Sequence, residues 1–248
     1  MKLRRALPIV AVIPALLAMS ACSGESKESD GKKPKASASA KGTPSPTGTA
    51  AKAAAEARRI GAMDPQTLEK VTLSGRKNNY DAKKVAKAEV EAGRDMKADK
   101  AECQPLAGLA GGFTHIPAVG VEHRSLEPTE AENATIGSMW LASHSEKNAT
   151  RVMADLRTSV KECPGGFKTL GLTYKSVQTV KAPALGDESL GYRITNVVAK
   201  QSVTMTYTVV RKDGVVAVFY GVNMLTPQKS AIPEAVVKDQ LEQLDRLG

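Results

Sequence analysis

The sequence predicts an α+β domain: a twisted antiparallel sheet of about six strands, flanked by helices and tied by one disulfide. Three observations predict it. Ser202 to Arg211 alternates, with Val203, Met205, Tyr207 and Val209 against Thr204, Thr206 and Thr208. Lys212-Asp213-Gly214 then supplies turn residues, and Val215 to Val222 returns as the second arm of a hairpin. A stripe of Ala149, Val152, Met153, Leu156, Val160 and Cys163, with Lys147, Arg151, Asp155 and Lys161 facing away, marks one long amphipathic helix. The remaining strand-like runs are joined mostly by short turns, with no internal repeat and no parallel crossover series. Helices must then flank an antiparallel sheet and cover one of its faces.

Taken in order, the chain opens on Lys2, Arg4 and Arg5, followed by an apolar run from Ala6 to Ala18 broken only by Pro8 and Pro14. Thirteen residues are too few to span a hydrocarbon core, which takes about 20 helical residues. Leu17-Ala18-Met19-Ser20-Ala21-Cys22 follows, with small side chains immediately before the cysteine. This arrangement resembles the lipobox of bacterial lipoprotein signal peptides, with Met19 where leucine is usual. The resemblance implies that residues 1–21 are a signal peptide and that Cys22 is the lipidated first residue of the mature chain. Its thiol would become a thioether to diacylglycerol, and cleavage would free its amine for acylation (the palmitate class of modification). Two or more chains matter, because each buried methylene contributes about 0.8 kcal/mol and a single chain anchors only marginally. The implied location is the extracytoplasmic face of the cell membrane, held by lipid.

Residues 22–62 read as a tether. Ser, Lys, Gly, Pro, Thr and Ala dominate, and Ile60 is the one large apolar side chain. Such a stretch buries too little surface to offset its ordering entropy, so disorder is expected, with a transient helix over Ala50 to Arg59. As a flexible coil its forty residues after Cys22 would span roughly 35 Å. The formal charge of +9 is unevenly shared: +3 in the leader and +4 in the tether, which leaves +2 for residues 63–248. The globular part is nearly neutral. Nucleic-acid binding is excluded, since a basic face with interleaved aromatics is missing. The tether's charge suits anionic lipid headgroups within about a Debye length.

Residues 63–248 are expected to form a single sensor-like domain. Asp64-Pro65 opens a short helix with Leu68 and Val71 facing inward. Lys77-Asn78-Asn79 reads as a turn before a strand-like stretch from Tyr80 to Val90. A second short helix is expected over Ala98 to Leu109, carrying Cys103 and stopped by Gly111-Gly112. Pro117 to Leu126 alternates, with Val119, Val121 and His123 on one face, and Ala134 to Ala142 is an apolar strand holding the single tryptophan, Trp140. Ser143 and Glu146 have capping-box spacing at the start of the long helix, which Pro164-Gly165-Gly166 ends. Thr173 to Lys181 and Leu190 to Val198 are strands, and Pro233 opens a closing helix with Val237, Leu241 and Leu244 on one face.

With Cys22 assigned to the anchor, Cys103 and Cys163 remain, and outside the cytoplasm two such cysteines usually pair. A catalytic thiol and a metal site are the alternatives. A metal site needs His or Cys partners at ligand spacing, and neither cysteine has them. No cofactor is expected. His115, His123 and His144 lack helical zinc spacing, and His144 falls in a polar helix start. Asp187-Glu188 are adjacent carboxylates that read as a solvated turn, because neighbours in sequence point apart. Gly108, Gly111 and Gly112 do not form a phosphate loop. The Thr204-Thr206-Thr208 ladder lies on the sheet's uncovered face, with Tyr192 and Tyr220 beside it, as a wet surface or the lining of a shallow cleft. No nucleophile elbow or paired catalytic residues appear, so the chain is read as a non-enzyme.

Three segments carry a wider resemblance: Cys103-Gln104-Pro105-Leu106, the stretch from Trp140 to Cys163, and Gly186-Asp187-Glu188-Ser189-Leu190-Gly191-Tyr192-Arg193. Over Asp64 to Gly248 the chain resembles the extracellular sensor domain of PknH-type mycobacterial receptor kinases, a domain shared by many small actinobacterial lipoproteins. The resemblance implies a twisted antiparallel sheet with helices and a cleft for an unidentified ligand. Those sensor domains typically carry two disulfides, whereas this chain can form one. The functional expectation is a lipid-anchored envelope protein that binds a small molecule or envelope component. The alternative is a module that docks on a membrane or cell-wall protein.

Overall fold

The computed structural model describes residues 48–198 and 201–246. Cys22, the leader and most of the expected tether lie outside the described residues. The end of the tether stretch is a helix, α1 (Gly48–Ile60), joined through Gly61 to α2 (Pro65–Val71). Ala57 of α1 is 1% exposed, and this burial distinguishes α1 from the transient helix expected there. In α2 the Asp64 carboxylate accepts the Gln66 and Thr67 amides, the N-terminal cap that Asp64-Pro65 announces.

Nine strands form one sheet among the described residues, against the six or so expected. They are β1 (Gly75–Lys77), β2 (Tyr80–Lys84), β3 (Gly120–Pro128), β4 (Thr135–Ser143), β5 (Phe167–Thr169), β6 (Leu172–Val180), β7 (Glu188–Val198), β8 (Gln201–Lys212) and β9 (Val215–Asn223). All adjacent pairs are antiparallel, in the order β1-β2-β3-β4-β9-β8-β7-β6-β5. Two meanders are thus zipped together by a single non-sequential pairing, β4 with β9. The extra strands β1 and β5 have three residues each, too short to show a period. Each is closed by a tight turn, Asn78-Asn79 or Leu170-Gly171, with both residues at positive φ.

Four more helices complete the fold: α3 (Lys87–Ala92), α4 (Gln104–Ala110, led by a single 3-10 turn at Ala101–Cys103), α5 (Glu146–Glu162) and α6 (Glu234–Asp245). The strand expected from Tyr80 to Val90 therefore ends at Lys84, and Lys87–Ala92 follows its helix-forming Lys, Ala and Glu content instead. The cap of α5 is Ser145, whose Oγ accepts the Asn148 amide. Ser143 still belongs to β4, and its hydroxyl donates to the Met63 carbonyl, so the capping-box reading was two residues early.

The sheet is covered on both faces, not one. On the first face α4 and α5 pack over Trp140, Tyr192, Ile194, Tyr207, Val209, Val216 and Val218. On the second, α2 and α6 pack over Tyr80, Leu126, Met139, Leu141, Ala217 and Phe219. Consequently Thr206 and Thr208 are 3% and 7% exposed, and the ladder is not a wet surface. Tyr192 and Tyr220 lie on the other face: both pair in register with Tyr207, and residues directly opposite share a face.

Cys103 and Cys163 form the expected disulfide, with Cα atoms 5.9 Å apart, joining the start of α4 to the end of α5. Both cysteines are buried in the first core. The Ser159 hydroxyl, donating to the Glu102 carbonyl, ties the same two elements beside the bridge.

Candidate functional site

The first face of the sheet carries a band of aromatic side chains at fixed register. Tyr192 stacks on Tyr207 with ring centroids 4.8 Å apart, and Tyr207 stacks on Tyr220 at 5.5 Å. Tyr220 meets Trp140 edge-on at 6.0 Å, and Trp140 stacks on His123 at 5.8 Å. His123 in turn meets Phe113 at 5.6 Å, and the Arg94 guanidinium lies 4.2 Å above the Phe113 ring. Strand pairing builds this band: Tyr192, Tyr207 and Tyr220 are direct neighbours across β7, β8 and β9, and His123 pairs with Trp140 across β3 and β4. Aromatic neighbours in offset or edge-on contact each add about 0.5–1.5 kcal/mol beyond their burial.

The helices α4 and α5 cover the tyrosine end, and α3 spans the His123 end. Gly93, at the end of α3, meets the Gly111 backbone so closely that a Cβ on either would collide with the other's carbonyl. No residue of α3 is buried, so it lies over the sheet as a strap and contributes nothing to the core. Two openings flank it. The larger, about 350 Å³, is lined by Lys84, Val85, Arg94, Phe113, Val121 and His123. The smaller, about 150 Å³, is lined by Gly112, His123, Ser125, Ser138, Trp140 and Tyr220. Val85, Val90 and His123 border both, so the two openings form a cleft running beneath α3.

His123 divides this cleft and is held still. Its Nε2–H donates to the Gly112 carbonyl at 2.8 Å. Gly112 sits at φ +83°, and a Cβ there would lie 2.6 Å from that same nitrogen, so only glycine closes the turn. Burial pushes the His123 pKa below its ordinary value, outweighing the Gly112 bond that favours its charged form. The cleft therefore presents a neutral imidazole at neutral pH. Arg94 is tied to Glu91 through both of its carboxylate oxygens, and Lys84 pairs with Glu69. The Trp140 indole N–H and the Tyr192 hydroxyl are buried without a hydrogen-bond partner among the described residues. The arrangement suits a ligand with a ring or apolar portion against the aromatics and an acceptor for a donor group. Ser125 and Ser138 supply hydroxyls beside it.

Of the ionisable side chains weighed for chemistry in the sequence, His123 falls in the cleft, where Gly111, Gly112, Trp140 and Tyr220 join it. The His115 Nε2–H donates to the Asp155 carboxylate of α5 at 2.9 Å. His144, expected in a polar helix start, is 1% exposed and lies against Thr114 at 3.1 Å. Asp187 stays on an exposed bend as expected and accepts from Arg211 and the Asp213 amide, while Glu188 begins β7, is half-buried and accepts from Arg211 and Arg157. They clamp the ends of β7 and β8 to α5. Gly111 and Gly112 serve close backbone approach. Trp140 is expected on a strand and Tyr220 beside the threonine ladder; a period-2 pattern does not specify that the two meet across β4 and β9.

Among the described residues no helix is long and apolar enough to cross a membrane. No family model matches the chain, and no curated protein matches it. Among solved structures it is similar to the crystal structure of the extracellular domain of PknH from Mycobacterium tuberculosis. The two share 11% identity and a TM-score of 0.39, over 75% of this chain and 96% of that one. At that level of similarity the functional reading rests on the geometry of this chain alone.

Proposed function

We propose that this chain is a lipid-anchored cell-envelope lipoprotein, attached through Cys22, whose sensor-like domain binds a small molecule or envelope component in the cleft beneath α3. The observation that carries the binding role is the cleft itself, floored by His123, Trp140 and Tyr220 and bordered by α3, together with a Trp140 indole N–H that is buried without an acceptor among the described residues. An unmet buried donor costs about 1–3 kcal/mol, which a ligand acceptor at that position would recover. The aromatic floor, the neutral His123 and the loosely seated α3 support a neutral or weakly polar ring-bearing ligand admitted by displacement of the strap. The role is binding and not catalysis, since the His123 Nε2 proton is engaged by Gly112 and Arg94 by Glu91. A buried disulfide supports an oxidising, extracytoplasmic compartment.

Native mass spectrometry of the full mature chain, released from its own envelope, tests the binding role. The expected result is an adduct that survives gentle ionisation and disappears on denaturation. Trp140→Phe, which keeps the ring and removes the indole N–H, should weaken its retention roughly tenfold. A bare mass from both proteins sinks the cleft reading. It would favour the alternative, docking on an envelope protein, for which the exposed apolar side chains Ile136, Met224 and Leu225 at one end of the β4–β9 pair speak.

A further inference from the structure

On the opposite face of the sheet, beside the start of α6, lies a further cavity of about 410 Å³. Its floor is the end of β7 and β8 that carries Arg193, Thr206 and Thr208, and its walls are the Lys181–Pro183 loop and the start of α6. Gly191 pairs with Thr208 in register, and its missing side chain lets the Val180–Ala182 backbone of the wall approach, since a Cβ there would lie 2.8 Å from the Val180 carbonyl oxygen. We infer that this cavity is an anion site for a phosphate group, with Arg193 as its principal ligand.

The positioning of Arg193 argues for this. Its Nε donates to Thr206 Oγ1 at 3.2 Å. Ser230 Oγ donates to the Pro227 carbonyl at 2.8 Å, so in the 2.6 Å contact between the two hydroxyls Thr206 donates and Ser230 accepts. Every proton in this relay is committed, and it ends on a backbone carbonyl. The guanidinium is thereby fixed in direction while its terminal nitrogens meet no carboxylate among the described residues. Arg59, Arg94, Arg124, Arg151, Arg157 and Arg211 each have a carboxylate within ion-pair distance, and Arg58, Arg76 and Arg246, which have none among the described residues, are exposed where Arg193 is half-buried. A half-buried guanidinium that is held in place yet unpaired is a costly arrangement that an oxyanion relieves, in charge-assisted and often bidentate contacts.

Thr208 lines the same floor at 7% exposure and adds a hydroxyl to the cavity beside Arg193 and Thr206. Both signs of the local field agree with an anion. Lys181 stands at the rim, and α6 begins there with Pro233 as an N-cap that offers no side-chain acceptor; the Val236 and Val237 amides reach the Pro233 carbonyl, which leaves the amides of Glu234 and Ala235 without an acceptor in the helix. The one carboxylate on the lining, Glu234, is engaged by Lys238 at 2.7 Å.

Phosphate can reach this site as a free ion or small phosphoester, or as a lipid headgroup, and one experiment separates the two. The full chain is produced without lipid as Cys22→Ser, and its thermal unfolding is followed against inorganic phosphate at matched ionic strength. Binding to anionic phosphatidylglycerol–phosphatidylcholine vesicles is measured against phosphatidylcholine alone. Phosphate should raise the melting temperature, and Arg193→Gln should weaken the apparent affinity about tenfold. Thr208→Val, isosteric and outside the relay, should weaken it about threefold, and it tests the site even where Arg193→Gln disturbs the fold. Vesicle binding that falls with the same variants assigns a headgroup, whereas a response confined to inorganic phosphate assigns a soluble ligand. Equal phosphate response in the parent and both variants, or no response to either probe, overturns the proposal. So does vesicle binding that ignores both variants, because the basic residues of 22–62 would then account for it.

Discussion

Thr114 and His144 show how one hydroxyl can set the protonation chemistry of a buried ring. The Thr114 O–H donates to the Ile116 carbonyl at 2.7 Å, so its oxygen is left to accept from His144 Nε2–H. The other ring nitrogen, Nδ1, is buried without a partner. Burial, with a smaller contribution from nearby His115, lowers the His144 pKa from 6.5 to about 4. The unfolded chain then binds the proton more readily than the folded one, so stability falls as pH drops from about 6.5 toward 4. The loss attributable to His144 reaches about 3 kcal/mol at pH 4, and the depressed His123 acts in the same direction. Urea midpoints across that range should show the decline, and His144→Gln should remove most of it. An unchanged slope in the variant would place the acid sensitivity elsewhere.

At the level of elements, the helices differ sharply in how firmly they are held. The long helix α5 buries six residues, Ala149, Val152, Met153, Leu156, Ser159 and Val160, and is bridged to α4 by the disulfide. Closing that 60-residue loop is worth about 4 kcal/mol in the chain-entropy description. By contrast α3 buries no residue, has no side-chain cap, and spans only six residues, well below the length at which a helix is stable alone. Its amides should therefore exchange with solvent hydrogen far faster than those of β4 and β9, by local opening and not by global unfolding. Hydrogen-exchange mass spectrometry over residues 87–92 checks this. Protection equal to that of β9 would show that α3 is part of the core, and the cleft would then have no moving cover. The ligand adduct expected under the binding proposal should slow exchange in this segment specifically.

For the whole molecule, the β4–β9 pairing is the joint on which the cleft depends. It brings Trp140 next to Tyr220 on one face, whereas the strand carrying Thr206 and Thr208 is set between β7 and β9 by sequential pairings of its own. Because β4 and β9 lie far apart in the chain, both meanders must form before the cleft exists. The phosphate cavity and the cleft occupy opposite faces, so the two binding proposals fail or succeed separately. The attachment proposal belongs to this scale as well. Cys22→Ser, expressed with the leader in its native host, should leave the protein unprocessed or release it into the soluble fraction. A variant that was still cleaved and membrane-bound would show that something other than Cys22 lipid holds it.

Much of the local architecture was legible in the sequence, because it depends on interactions within a few residues. Asp64-Pro65 specifies a cap, Asn78-Asn79 a tight turn, Lys212-Asp213-Gly214 a hairpin, and the stripe from Ala149 to Cys163 the buried side of α5. The pairing of Cys103 with Cys163 followed from chemistry and count. The apolar run Val215 to Val222 carried a further signal: a strand buried on both faces loses its alternation, and here Val215 to Phe219 are all buried. What only the tertiary structure decided is partnership across distance. Side-chain alternation states which residues share a face, but not which strand lies beside them or what covers them. Thr206 and Thr208 were therefore polar by pattern yet buried by the Ser230–Glu234 segment. His144 was polar by context yet enclosed, and Trp140, His123 and Tyr220 met only once β9 had returned to β4. The sequence by itself determined the β8–β9 hairpin, the long helix α5 and the cysteine pair, through short-range sterics, solvation and thiol chemistry. Tertiary packing alone brought His123, Trp140 and Tyr220 together in the cleft and left a half-buried guanidinium without a carboxylate on the far face.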